Sequence, residues 1–245
     1  MTMQAFHPHL ATALSRPRLH VYETAAPSAA GLGAPRSNLD LVGAYAHNIM
    51  VAKDLLPTLH LLEVALRNNL SAALSKVLKR ADWYDAPRLL GPTQQQQLNQ
   101  TKSKLATKRK PLSPDYVVAE STFGFWVGLF GSYYERSLWQ QHRTLIVETF
   151  PHSPRHSRTR GQLGHLLNPL RDLRNNVMHW ERITDEPQLA KQQQDAKRLI
   201  AWMSPAAAVL LSGVCEFDQA LGPTGQAKAR HAAGCGFLFD EIKSL

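Results

Sequence analysis

Residues 58–79 read TLHLLEVALRNNLSAALSKVLK. Leu59, Leu62, Leu66, Leu70 and Leu74 recur at three and four positions, which places them on one face of an α-helix. The spacing returns farther along, where Leu170, Leu173, Val177 and Trp180 fall within QLGHLLNPLRDLRNNVMHWERITDEP, residues 162–187. Strand-like alternation is sparse between and around these stretches. The pattern predicts an all-α helical bundle.

Working outward, residues 1–36 read as an irregular segment, with Pro8, Pro17, Pro27 and Pro35 and the small-residue run APSAAGLGAP. Ser37 is placed to cap a helix through NLDLVGAYAHNIMVAK. Asp54 can cap a second, with Pro57 in its first turn, where a missing N–H costs little. Thr93 opens a glutamine-rich helix that ends in Lys108, Arg109 and Lys110, a placement that suits the negative end of a helix dipole or a phosphate contact. Ser113-Pro114-Asp115 marks another helix start. In STFGFWVGLFGSYYERSLW, Phe123, Trp126 and Phe130 share a helical face, which favours core packing over a base-stacking platform. Asn168 and Pro169 mark either a helix start or a kink. Asp185 begins a last helical region, and Ser204-Pro205 breaks and restarts it. PAAAVLLSGVC is too short for a membrane and reads as a core helix. The expected organisation is one α-helical domain over residues 37–221, then a tail over 222–245, loose from its glycines until FLFDEI.

Composition narrows the function. Of 245 residues, 28 are basic and 19 acidic, a formal charge of +9. Such a field concentrates polyanions, so nucleic acid is a reasonable partner and an anionic membrane surface a weaker one. Cys215 and Cys235 form neither a metal-ligand pattern nor a disulfide framework, which fits a reducing, cytoplasmic location. The first 22 residues contain no apolar run of signal-peptide length, and no stretch approaches the about 20 apolar residues of a membrane span. His152 and His156 have ligand-like spacing, but Pro154 between them argues against a shared helical face. No metal or cofactor is expected.

One motif carries chemistry. In RNNVMH, residues 174–179, His179 follows Asn175 by four positions and shares its face. Arg174 lies five positions before His179, about 140° away around the helix, and is long enough to bend toward the same edge. A guanidinium can clamp a phosphate and offset charge building on its oxygens. An imidazole can exchange protons near neutral pH. Together they suit metal-independent RNA cleavage, in which the 2′-hydroxyl attacks the adjacent phosphorus and leaves a 2′,3′-cyclic phosphate. Asn175 would orient either group. One imidazole cannot easily serve both sides of one phosphorus. The related RNNLSA, residues 67–72, has Ala72 in the histidine position, so the second imidazole is expected from another copy of the chain, as a homodimer. The bland alternative is a capping or buried histidine beside a surface arginine.

Five segments, in order, resemble the Abi-like (abortive-infection) family of the HEPN superfamily: LSRPRLHVY, LLEVALRNNL, FGFWVGLF, LRDLRNNVMHWERI and LIAWMSPAAAVLL, spanning about Ser15 to Leu221. The resemblance implies a HEPN-like bundle with additional N-terminal helices, a dimer, and a role in phage defence or a toxin–antitoxin system with an RNA or protein antitoxin. It carries Arg174 and His179 over as catalytic and Asn175 as supporting. Glu181 matches the acidic position that follows, and Glu63, Arg67 and Asn68 match a second family pattern. Trp180 departs from it, standing where many relatives have another histidine. Glu63 and Arg67 also have the i, i+4 spacing of a helix ion pair. Lys108, Arg109, Lys110 and Arg171 are the candidate RNA contacts. The alternative to a nuclease is a non-catalytic RNA- or protein-binding module on the same scaffold.

Overall fold

The computed structural model describes residues 12–23 and 38–235, which form helices and turns with no strand among them. The principal helices are α1 (Arg16–Glu23), α2 (Asn38–Leu78), α3 (Pro92–Thr107), α4 (Pro114–Glu120), α5 (Phe123–Gly128), α6 (Leu145–Thr149), α7 (Arg160–Met178), α8 (Leu189–Met203), α9 (Pro205–Val214), α10 (Phe217–Leu221) and α11 (Pro223–Cys235). The chain is therefore all-α, as the leucine spacing predicts. Ser37, the run APSAAGLGAP and FLFDEI lie outside the described residues.

Two compact units are present. One comprises Met1–Pro57, Asn175–Gln193 and Val214–Leu245; the other comprises Thr58–Arg174 and Gln194–Gly213. In the second unit, the stripe Leu59, Leu62, Leu66, Leu70 and Leu74 is buried, as are Leu163, Leu167, Leu170 and Leu173 of α7. Trp83, Phe125 and Trp126 form an aromatic cluster with centroids 5.1–6.3 Å apart. Phe123, Trp126 and Phe130 are core residues, and Phe125 joins them. Asn69 donates to the carbonyls of Thr149 and Met203, both at 3.1 Å, and so ties α2 to the ends of α6 and α8.

Several boundaries differ from the sequence reading. The two helices expected either side of Asp54 are one, with Pro57 inside it. An interior proline costs about 3 kcal/mol. Burying each of Val51, Leu55 and Leu59 returns about 1.5–3 kcal/mol, so continuity wins. Pro169 likewise sits within α7, where Asn168 Nδ2 donates to the Gly164 carbonyl at 2.8 Å. Arg16–Glu23 is helical within the stretch expected to be irregular. The apolar helix α9 is not core, because only Leu211 is buried while Val209 and Leu210 are exposed. An all-apolar composition without a polar stripe does not say which face turns inward.

The segment after Gly222, expected to be loose, is α11. Ala229 and Ala233 are buried, and Ala233 joins Leu19, Tyr22, Leu41 and Val42 in the core of the first unit. Arg230 pairs with Asp40 at 2.7 Å. A Cβ at Gly225 would lie 1.9 Å from the Ala220 carbonyl oxygen. This glycine serves close approach between α10 and α11 rather than looseness. His47 is 1% exposed and donates from Nε2 to the Ala220 carbonyl at 2.8 Å.

Burial lowers the His47 pKa below its ordinary 6.5, with the Ala220 hydrogen bond opposing the shift. The unfolded chain therefore takes up the proton first, and stability falls as pH drops from about 6.5 toward the folded value. Thermal melts between pH 7 and pH 5 should show this loss, and His47→Gln should flatten it. Gly225→Ala should destabilise by about 1–3 kcal/mol, the cost of an overpacked contact, as read by urea titration.

Candidate active site at the end of helix α7

Helix α7 stops in a Schellman turn. The Trp180 N–H donates to the Val177 carbonyl at 3.2 Å, and the Glu181 N–H donates to the Asn176 carbonyl at 2.9 Å. Trp180 has φ +60°, the left-handed position usually filled by glycine. Lys79 and Arg109 have positive φ as well, and matching bonds (Arg80 to Ser75, Lys110 to Leu105) end α2 and α3 in the same way. His179 is the last residue before the turn. Its N–H reaches the Asn175 carbonyl at 2.9 Å, and its side chain is exposed. Asn175 is exposed too. The bland possibility of a core histidine is thereby removed.

The chain beyond the turn is pinned by Asn48, a residue that belongs to none of the sequence motifs. Asn48, 4% exposed, donates from Nδ2 to the Glu181 carbonyl at 3.1 Å. Its Oδ1 accepts from the N–H groups of Ile183 at 2.8 Å and Thr184 at 3.2 Å. Arg18 Nη1 donates to the Trp180 carbonyl at 2.8 Å. The available signal was a polar pair, His47-Asn48, interrupting the apolar run of α2.

In the second unit, Arg174 is half-buried and its Nε lies 3.3 Å from Glu63 Oε2. The helix ion pair expected between Glu63 and Arg67 is not formed. Arg67 instead donates from Nη1 to the Ala119 carbonyl at 3.0 Å. α7 draws Glu63 away because an arginine presented from a second helix needs no backward reach along α2. Asn68 is exposed. Glu63 and Arg174, from two separate sequence patterns, are thus direct partners.

The expected RNA contacts are dispersed. Lys108 Nζ bonds Glu120 Oε1 at 2.8 Å, and this bond holds the Glu120 carboxyl below its ordinary range. Lys110 lies 5.6 Å from the ring centroid of Tyr116. Arg109 is exposed. Arg171 contacts Asp172 Oδ1 at 2.8 Å and Asn168 Oδ1 at 3.1 Å. Exposed pairs of this kind are worth about 0–1 kcal/mol. Among the described residues, no group of three His, Cys, Asp or Glu side chains is placed to hold a metal ion, and no helix is long and apolar enough to cross a membrane.

Comparison of the chain with protein-family models, with curated proteins and with solved structures finds no match. What can be stated of its class is therefore an all-α protein with an exposed histidine at a pinned helix end.

Replacing Asn48 with Ala would strand the buried N–H groups of Ile183 and Thr184. At about 1–3 kcal/mol for each unsatisfied group, the loss should total about 2–6 kcal/mol in urea titration.

Proposed function

We propose that the chain is an Abi-like protein of the HEPN superfamily, acting as a metal-independent endoribonuclease. In this reading it works as a homodimer in phage defence, or as a toxin restrained by an RNA or protein antitoxin. The observation that carries it is the state of the two motif residues: His179 is open to solvent on a turn held by backbone bonds, and Arg174 is anchored by Glu63. Glu63 pairs with the guanidinium by charge, without a hydrogen bond to Nε, so its terminal donors can meet a phosphate. The charge of +9 supports a polyanionic substrate.

The reaction is an internal transesterification. His179 of one copy takes the 2′-hydroxyl proton as that oxygen bonds to phosphorus. The bond from phosphorus to the 5′-oxygen breaks, and the leaving oxygen receives a proton from His179 of the second copy. Arg174 offsets the charge on the non-bridging oxygens. Glu63 fixes the guanidinium, and Asn175 is available to orient a phosphate oxygen. Deoxyribose lacks the nucleophile, so DNA is not cut.

The test is incubation of the purified protein with RNA. Products should carry 2′,3′-cyclic phosphate and 5′-hydroxyl ends, with the same yield in EDTA. His179→Ala should lower the rate by about 10²–10⁴-fold, the usual contribution of general acid–base catalysis, and leave the Tm unchanged because the side chain is exposed. Equal cleavage by His179→Ala, or RNA left intact under every condition, would sink the nuclease reading and leave a binding module.

A further inference from the structure

Trp180, the residue after His179, lines a cleft of about 260 Å³ together with Arg18, Val21, Tyr22, Glu181 and Arg182. Nothing in the cleavage scheme uses it. Four observations give it a chemistry. Trp180 is 68% exposed, although an indole in water forgoes burial of a large apolar surface. Tyr22 is 2% exposed, yet its hydroxyl has no hydrogen-bond partner. Buried hydroxyls are normally satisfied. The Arg182 side chain is 5% exposed; it donates to the Val21 carbonyl, lies 4.7 Å from the Tyr22 ring centroid and pairs with Asp185, while its Nε has no hydrogen-bond partner. Arg18 meets a carbonyl oxygen, that of Trp180, and no carboxylate among the described residues.

A flat, exposed aromatic face, an arginine with no carboxylate partner among the described residues and an unsatisfied phenol are complementary to one unit of a nucleic acid strand. We infer that this cleft binds a single nucleotide of single-stranded RNA: Trp180 stacks on the base, Arg18 faces the phosphate, and the Tyr22 hydroxyl bonds to the base edge or sugar. The volume admits about one such unit, being just below the range of about 300–1,000 Å³ typical of ligand pockets. Arg182 is a positioning residue, since Asp185 already offsets its charge. Glu181 at the rim carries the opposite sign and disfavours a second phosphate there. Burial raises the Tyr22 pKa, so the phenol keeps its proton and can donate. The inference rests on the RNA-cleavage reading for its substrate class, and it places a base-recognition subsite next to the proton-transfer group.

The test uses the full chain and a 2′-O-methyl RNA pentamer, which has no free 2′-hydroxyl and cannot be cleaved. Three of the five tryptophans, Trp83, Trp126 and Trp139, are buried. Pentamer binding should therefore quench mainly Trp180 emission, and Trp180→Phe should abolish the quench while holding affinity within about threefold, because a ring still stacks. Trp180→Gly should weaken binding by between about fivefold and a hundredfold, the range set by one base stack, yet raise the Tm because glycine relaxes the left-handed turn. Tyr22→Phe should weaken binding by about three- to tenfold, one hydrogen bond's worth, without lowering the Tm.

Wild-type affinity retained by both Trp180→Gly and Tyr22→Phe would overturn the subsite while leaving the nuclease intact. A 5′-mononucleotide bound as tightly as the pentamer would overturn the assignment to an RNA strand. Pentamer binding that follows these variants, beside RNA that is never cut, would uphold the cleft and fell the nuclease.

Discussion

A polar side chain buried in a hydrophobic helix has to be satisfied from outside that helix, because the helix backbone has already used its own groups. Asn48 is such a residue, and its three hydrogen bonds go to the chain that follows α7. One amide thus decides where Glu181, Ile183 and Thr184 lie, and through them where the helix end carrying His179 and Trp180 is held. The imidazole is exposed but its backbone is not adrift. This combination of a fixed main chain and an open side chain is what proton-transfer chemistry needs, since geometric looseness is expensive in rate.

The two motif residues are held by different physics. His179 depends on backbone bonds of a Schellman turn, whereas Arg174 depends on a carboxylate from α2. Glu63 therefore does more than decorate a helix surface. It keeps a half-buried guanidinium compensated, which matters because a buried cation without a partner is costly.

How much of this was legible beforehand depended on whether a pattern or a pairing was needed. The leucine stripe of residues 58–79 gave an all-α fold because burial follows period alone. The helix start at Pro114 and the break at Pro205 are readable for a similar reason, as proline chemistry is local. For Glu63, spacing along the helix offers Arg67 as partner, and only tertiary placement offers Arg174. The pair His47-Asn48 marks an interruption of the apolar run, but its partners are not legible, because a polar residue there reads the same whether it faces water or a neighbouring backbone. Gly225 misled because the missing Cβ that frees a loop also lets two helices touch. Pro57 suggested a boundary that buried neighbours on both sides overrode.

Lys79, Arg109 and Trp180 each occupy a helix-terminating position where glycine would be less strained, by about 1–2 kcal/mol apiece. The molecule is accordingly less heat-tolerant than its own backbone permits. A glycine ends in hydrogen; these residues extend two cations and an indole off the tips of their helices. Drift toward glycine would be harmless to folding at all three places, so any of them found fixed across divergent sequences would be fixed by what its side chain touches outside the chain.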